Sequence, residues 1–129
     1  MIIRYDKSYE QQWDRFVLQE SVNGNFLQTR NFLNYHKEGR FTDHSLVFLK
    51  GQEIAAVMPA NESGEKREIV SHQGSTFGGI IVGERFASVT EFEWIFAELS
   101  AYLGREGIYR ITVRAPSRLY FRKDVQIWM

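Results

Sequence analysis

The chain has 129 residues, no cysteine, and sixteen basic against sixteen acidic side chains. That length suits one domain with its own core, and the lack of cysteine excludes a disulfide framework, a thiolate metal site and a cysteine nucleophile. Zero formal charge gives no global attraction to phosphate backbones, "MIIRYDKSYEQQW" has no apolar leader run, and no segment approaches the roughly 20 apolar residues of a membrane span. A soluble, cytoplasmic protein that binds no nucleic acid duplex is expected.

The β-branched and aromatic "MIIRY" predicts a strand. Ser8 and Gln11 then read as a capping box, opening a helix whose Trp13, Phe16 and Val17 share a face. Beyond the Asn-Gly break in "ESVNGN", the segment "FLQTRNFLNYHKEG" predicts a second helix, capped by Thr29, filled by Phe32, Leu33, Tyr35 and His36, and ended by Gly39. Three antiparallel strands follow, starting near Ser45, Ile54 and Arg67 and joined at "KGQE" and "NESGEK", where Gly51 and Gly64 can take positive φ. Pro59 removes a ladder donor near the end of the middle strand and points to an edge or a bulge. "GGIIV" extends this sheet or leads out of it.

The segment "ASVTEFEWIFAELSAYLGREG" carries the strongest helical pattern. Ser88 and Glu91 form a capping box, Val89, Phe92, Phe96, Leu99 and Leu103 make the apolar face, and Gly104 or Gly107 ends the helix. Trp94 and Ile95 fall off that stripe, which reads either as ordinary packing at the helix edge or as a partner surface. "IYRITVRA" alternates as a half-buried strand, and the tail "LYFRKDVQIWM" fits a short helix or a strand. The expected fold is α+β, a largely antiparallel sheet flanked by helices in a single domain.

"SHQGSTFGGII", from Ser71 to Ile81, is the most distinctive stretch. His72 beside Gln73 offers an imidazole and an amide for binding an acceptor or passing a proton; the plainer alternative is a histidine satisfying a carbonyl at a strand end. Gly74, Gly78 and Gly79 either shape a corner or let a ligand approach the backbone, and Ser75 is a hydroxyl donor or a turn residue. His36, Asp43 and His44 match no ligand spacing, so no metal is expected. Arg110, Arg114, Arg118 and Arg122 concentrate positive charge near the end.

The segments "NGNFLQTRNFLNYH", "DHSLVFLKGQEIAAVMPAN", "SHQGSTFGGIIV" and the helix leading into "GIYRITVRAPSRLY" together resemble the GNAT-like acyltransferases of the Fem-related class. Residues 1–129 look like the N-terminal lobe of two-lobed bacterial members. The resemblance implies transfer of an acyl group to a small amine acceptor, such as a cell-wall peptide or an amino sugar of a surface polysaccharide. The donor would be acyl-CoA, as in most GNAT enzymes, or aminoacyl-tRNA, as in the Fem branch. In such a family Tyr35 and Tyr120 are candidate acid or binding phenols, Tyr120 alongside His72, the plainer alternative being packed rings. The arginine cluster, Arg114 among it, is a candidate contact for an anionic donor or is neutralised by acidic neighbours. The resemblance also implies a second GNAT-like lobe or a homodimer as neighbour.

Where GNAT domains carry an Arg/Gln-x-x-Gly-x-Gly/Ala loop for the coenzyme pyrophosphate, this chain has "VGERFASVTEF", with Gly83 and Arg85 but no paired glycine spacing. Glu84, Glu91 and Glu93 make that place less friendly to an anion. A noncatalytic lobe for binding or oligomerisation is the alternative function.

Overall fold

Two apolar runs, "LVFL" and "AAVM", organise the molecule, because their alternate side chains are buried on opposite faces of one sheet. The computed structural model describes residues 1–22, 24, 29–30, 42–62, 67–71 and 79–112. Among these, β1 (Ile2–Arg4), β2 (Leu46–Lys50), β3 (Glu53–Met58) and β6 (Ile81–Val82) form an antiparallel sheet in the order β1-β2-β3-β6. β4 (Ala60–Glu62), β5 (Glu68–Ser71) and β7 (Arg110–Thr112) form a second, in which β5 runs antiparallel to β4 and parallel to β7. Pro59 separates β3 from β4, and an antiparallel bridge between Asp43 and Asn61 keeps β4 flanked on the β2 side. A bulge between Phe48 and Leu49 interrupts the β2–β3 register.

One face of the sheet packs under α1 (Glu10–Arg15) and its π-helical continuation Phe16–Glu20, where Trp13, Phe16 and Val17 meet Val47, Leu49, Val57 and Ile81. The other face packs under α2 (Val89–Arg105), where Ile95, Leu99 and Tyr102 meet Leu46, Phe48, Met58 and Ile69. Burying each large aliphatic or aromatic side chain stabilises by roughly 1.5–3 kcal/mol, so two covered faces hold a sheet whose strands are individually short.

Three local expectations change. The first cap is Asp6, not Ser8: its Oδ1 accepts from the Ser8 amide at 2.7 Å, a 3-10 turn follows over Lys7–Tyr9, and α1 begins at Glu10. The buried stripe of α2 is rotated from the expected one, for Ile95 is fully buried while Val89 and Phe96 are 73% and 40% exposed. Trp94 is half-buried against the core, with the Lys50 ammonium 5.3 Å from its ring centroid, and does not stand free.

The ends of α2 follow the sequence closely. Ser88 Oγ accepts from the Glu91 amide at 3.2 Å. At the other end Gly107 sits at φ +70°, Ile108 N donates to Leu103 O at 2.9 Å, and Gly107 N donates to Gly104 O at 3.3 Å, a Schellman closure. Leu103 and Ile108 both pack on the core, which fixes the exit toward β7. The predicted second helix lies outside the described residues except for Thr29 and Arg30, both buried. No helix among the described residues is long and apolar enough to cross a membrane.

Candidate functional site

β5 and β6 lie along the same edge of the strand that runs through Pro59. Ser71 pairs with Ala60, and Ile81 pairs with Val57. Nine residues, 72–80, therefore connect two points that the facing strand joins with Met58 and Pro59 alone. The distinctive stretch is thus inserted, in sequence, between two strands that share one edge.

The outer neighbours of that edge differ on either side of the insertion. β5 is covered by β7, with Ile69 beside Ile111 and Val70 beside Thr112. β6 is covered by the segment after α1: Val22 N donates to Val82 O at 2.9 Å, and Ser21 bridges Gly83. The two covers come from opposite ends of the chain, so the neighbours of this edge change between β5 and β6.

The packing of that edge is tight. Ser21 Oγ donates to Val17 O at 2.7 Å and accepts from Gly24 N at 3.0 Å, folding the chain back over β6. A Cβ on Gly24 would lie 2.6 Å from Ser21 Oγ and 3.0 Å from both Ile81 Cγ2 and Val17 Cγ1, so only glycine fits. Of the site residues expected from sequence, Gly79 is described: it is buried at φ +95°, a conformation that requires glycine. His72, Gln73, Gly74, Ser75, Gly78, Arg114 and Tyr120 lie outside the described residues. The strands leading to two of these groups, β5 before His72 and β7 before Arg114, are paired and parallel.

A second constellation, on the opposite side of the Pro59 strand from β5 and β6, escaped the sequence reading. His44 is buried, with Nδ1 3.0 Å from Glu62 Oε2 and Nε2 2.7 Å from the Tyr102 hydroxyl. A carboxylate only accepts, so Nδ1 is the donor to Glu62, and the hydroxyl of Tyr102 can donate to or accept from Nε2. Glu62 also accepts from Arg4 Nη2 at 3.2 Å, and the same nitrogen donates to Asp43 O at 2.8 Å. Burial pushes the Tyr102 phenol up, with Glu106 adding to the rise, so it stays protonated.

Beside it, the buried Arg30 is ion-paired with Asp43 and donates to Ser45 Oγ at 3.1 Å. Its guanidinium carbon lies 4.0 Å from the Tyr5 ring centroid and 5.1 Å from that of Trp13. Burial acts to raise the Asp43 carboxyl, but the Arg30 charge and two hydrogen bonds from Ser45 outweigh it, and the net shift is downward. The adjacent Asp43 and His44 just before an apolar strand were the signal available in sequence. Their partners Arg30, Glu62 and Tyr102 come from other elements, and the buried, bonded network reads as scaffold. Among the described residues no group of three His, Cys, Asp or Glu could hold a metal ion.

The start of α2 completes the picture. Of its first amides, that of Glu91 donates to the Ser88 hydroxyl, and the Glu91 carboxylate in the first turn accepts from Lys50 Nζ at 2.6 Å. Arg85, one turn before, is ion-paired with Glu53, while Glu84 and Glu93 stand exposed. No family model and no curated protein matches the sequence. Among solved structures the chain is similar to a GNAT family acetyltransferase from Staphylococcus aureus, with 11% identity and a TM-score of 0.56 over 100% of this chain and 96% of that one. At that identity the likeness is one of fold, and the α+β architecture of this chain is GNAT-like.

Proposed function

We propose that this chain is the acceptor-side lobe of a GNAT-like N-acyltransferase acting on an amine in cell-wall or surface-polysaccharide synthesis. Acyl transfer needs an amine held against an acyl carbonyl, an exit for the ammonium proton, and donors for the developing oxyanion. Support for the reaction class comes from the GNAT-like fold spanning the whole chain. Support for the acceptor role comes from the start of α2, where Ser88 and the Lys50–Glu91 pair occupy the place of an anion cradle and three glutamates crowd it. Those residues do not fit a coenzyme pyrophosphate. The acceptor is assigned to the edge between β5 and β6, where His72, Gln73, Gly74, Ser75, Gly78 and Gly79 fall in sequence, with Arg114 and Tyr120 beyond β7.

The same self-capped helix start also favours a noncatalytic binding lobe, and two titrations separate the readings. With acetyl-CoA, calorimetry is expected to give no dissociation constant below about 10 μM, equivalent to roughly 6.8 kcal/mol. Tighter binding would overturn the acceptor-side assignment. With millimolar glucosamine as a model amine, amide shifts in NMR are expected at Ser71 and Gly79–Val82. Shifts confined to other segments, or none, leave the noncatalytic lobe as the better account.

A further inference from the structure

β4 carries one buried polar side chain that the described fold leaves without a partner. The buried polar side chains among the described residues are Thr29, Arg30, His44, Ser45 and Asn61. The first four are bonded to other groups. No hydrogen bond joins the Asn61 carboxamide to any described group, although the residue is only 7% exposed. A buried amide without a partner destabilises a fold, and asparagine is disfavoured in strands, where valine or threonine packs better. Its direction is set by its neighbours: Met58 and Ala60 are buried on the α2 side, and Glu62 reaches His44 there, so alternation turns Asn61 toward the α1 side. Across the sheet it sits between Asp43 and Val70, in a row that continues to Thr112.

We propose that Asn61 is a recognition site for a neutral secondary amide, a peptide bond or an acylamino group, carried by the amine acceptor. The surroundings select a neutral group. Pro59, two positions back on the same side, is buried, and Val70 is half-buried. The Asp43 carboxylate is already held by Arg30 and by the Ser45 amide and hydroxyl, so an ammonium finds no open anion there and a carboxylate would be repelled. A carboxamide offers an acceptor oxygen and two donor hydrogens, and the C=O and N–H of another amide complement it in two bonds. The Asn61 amide is not sealed from solvent, so an outside group can reach it. The adjoining row, Ala60 with Ser71, is the last pair before residues 72–80 in sequence. This inference rests on the acceptor-side reading for the molecule that bears the amide: the amine being acylated belongs to a peptide or an acylated amino sugar, not to a simple amino sugar.

Three probes separate the parts of this assignment in NMR titrations: N-methylacetamide has the amide alone, glucosamine the amine alone, and glycine N-methylamide both. The side-chain NH2 pair of Asn61, assigned through its own backbone, is expected to shift with the two amides and to stay in place with glucosamine. Asn61→Val should weaken glycine N-methylamide roughly tenfold, the effect of losing two hydrogen bonds, and leave the response to glucosamine unchanged. In circular dichroism melts the same variant should unfold no earlier than the parent, because it removes a buried group that has no partner. Asn61 signals unmoved by both amides, undiminished binding of glycine N-methylamide by the variant, or a variant that melts well below the parent overturns the proposal. Amide responses at Asn61 with no amine-dependent shift at Ser71 and Gly79–Val82 would keep this site and remove the acceptor-side reading instead.

Discussion

The two sides of the strand that runs through Pro59 are held by different physics. Where β1 ends and β2 begins, the Arg30–Asp43 pair and the Glu62–His44–Tyr102 chain bind the sheet to Arg30 on one side and to α2 on the other. Around β6 the chain is fastened by backbone pairing, the Ser21 hydroxyl and close apolar contacts about Gly24. Ionisable side chains are conspicuous in sequence, and here the described ones serve the scaffold. The insertion that carries the expected site residues emerges between β5 and β6, where the edge is built mainly from backbone. A largely buried charge network suits a scaffold because losing one member is costly.

Breaking the charged side should produce the largest effect. Arg30→Ala leaves the half-buried Asp43 without its cation and is expected to cost about 3 kcal/mol in urea unfolding. A loss below about 1 kcal/mol would remove the contrast between the two sides. On the other side, Gly24→Ala forces a Cβ to within 2.6 Å of Ser21 Oγ and should cost about 1–3 kcal/mol. A neutral result there would show that the Ser21–Gly24 turn yields easily.

Tyr102→Phe keeps the packed ring and deletes only the hydroxyl bonded to His44 Nε2, so a loss of about 1–2 kcal/mol is expected, measured by the same unfolding series. If His44→Ala in the Tyr102→Phe background costs as much as it does alone, the two side chains are not coupled. The smallest effect sharpens the comparison by pH. Arg30 and Ser45 hold the Asp43 carboxyl below its ordinary value, so the stability it contributes is present above about pH 4, the unfolded range, and is lost as pH falls through the lower folded value. Asp43→Asn should flatten that acid limb in thermal melts between neutral and acid pH.

How much of this was legible can be judged from particular residues. Trp13, Phe16 and Val17, the strands near Ser45, Ile54 and Arg67, the Ser88 cap and the Gly107 stop were all readable, because each depends on spacing within a few positions. The facing direction of α2 was not. Its apolar residues nearly encircle the helix, from Val89 through Phe92, Trp94, Ile95, Phe96, Leu99 and Leu103, so periodicity alone allowed more than one buried stripe. The sheet selected the stripe containing Ile95, Leu99 and Tyr102, which also lets the Tyr102 hydroxyl reach His44.

Within the described residues, the sequence by itself determined the kinds of element, their order and most of their ends, since capping, turn geometry and alternation act between neighbours along the chain. Tertiary structure decided that β5 and β6 share one strand edge, that Ser21–Val22 and β7 cover its two parts, and that His44, 58 positions from Tyr102, meets it at 2.7 Å. Those are contacts between distant segments. They form only when both faces of the sheet have been buried, and no local propensity encodes which distant partner will fill the space.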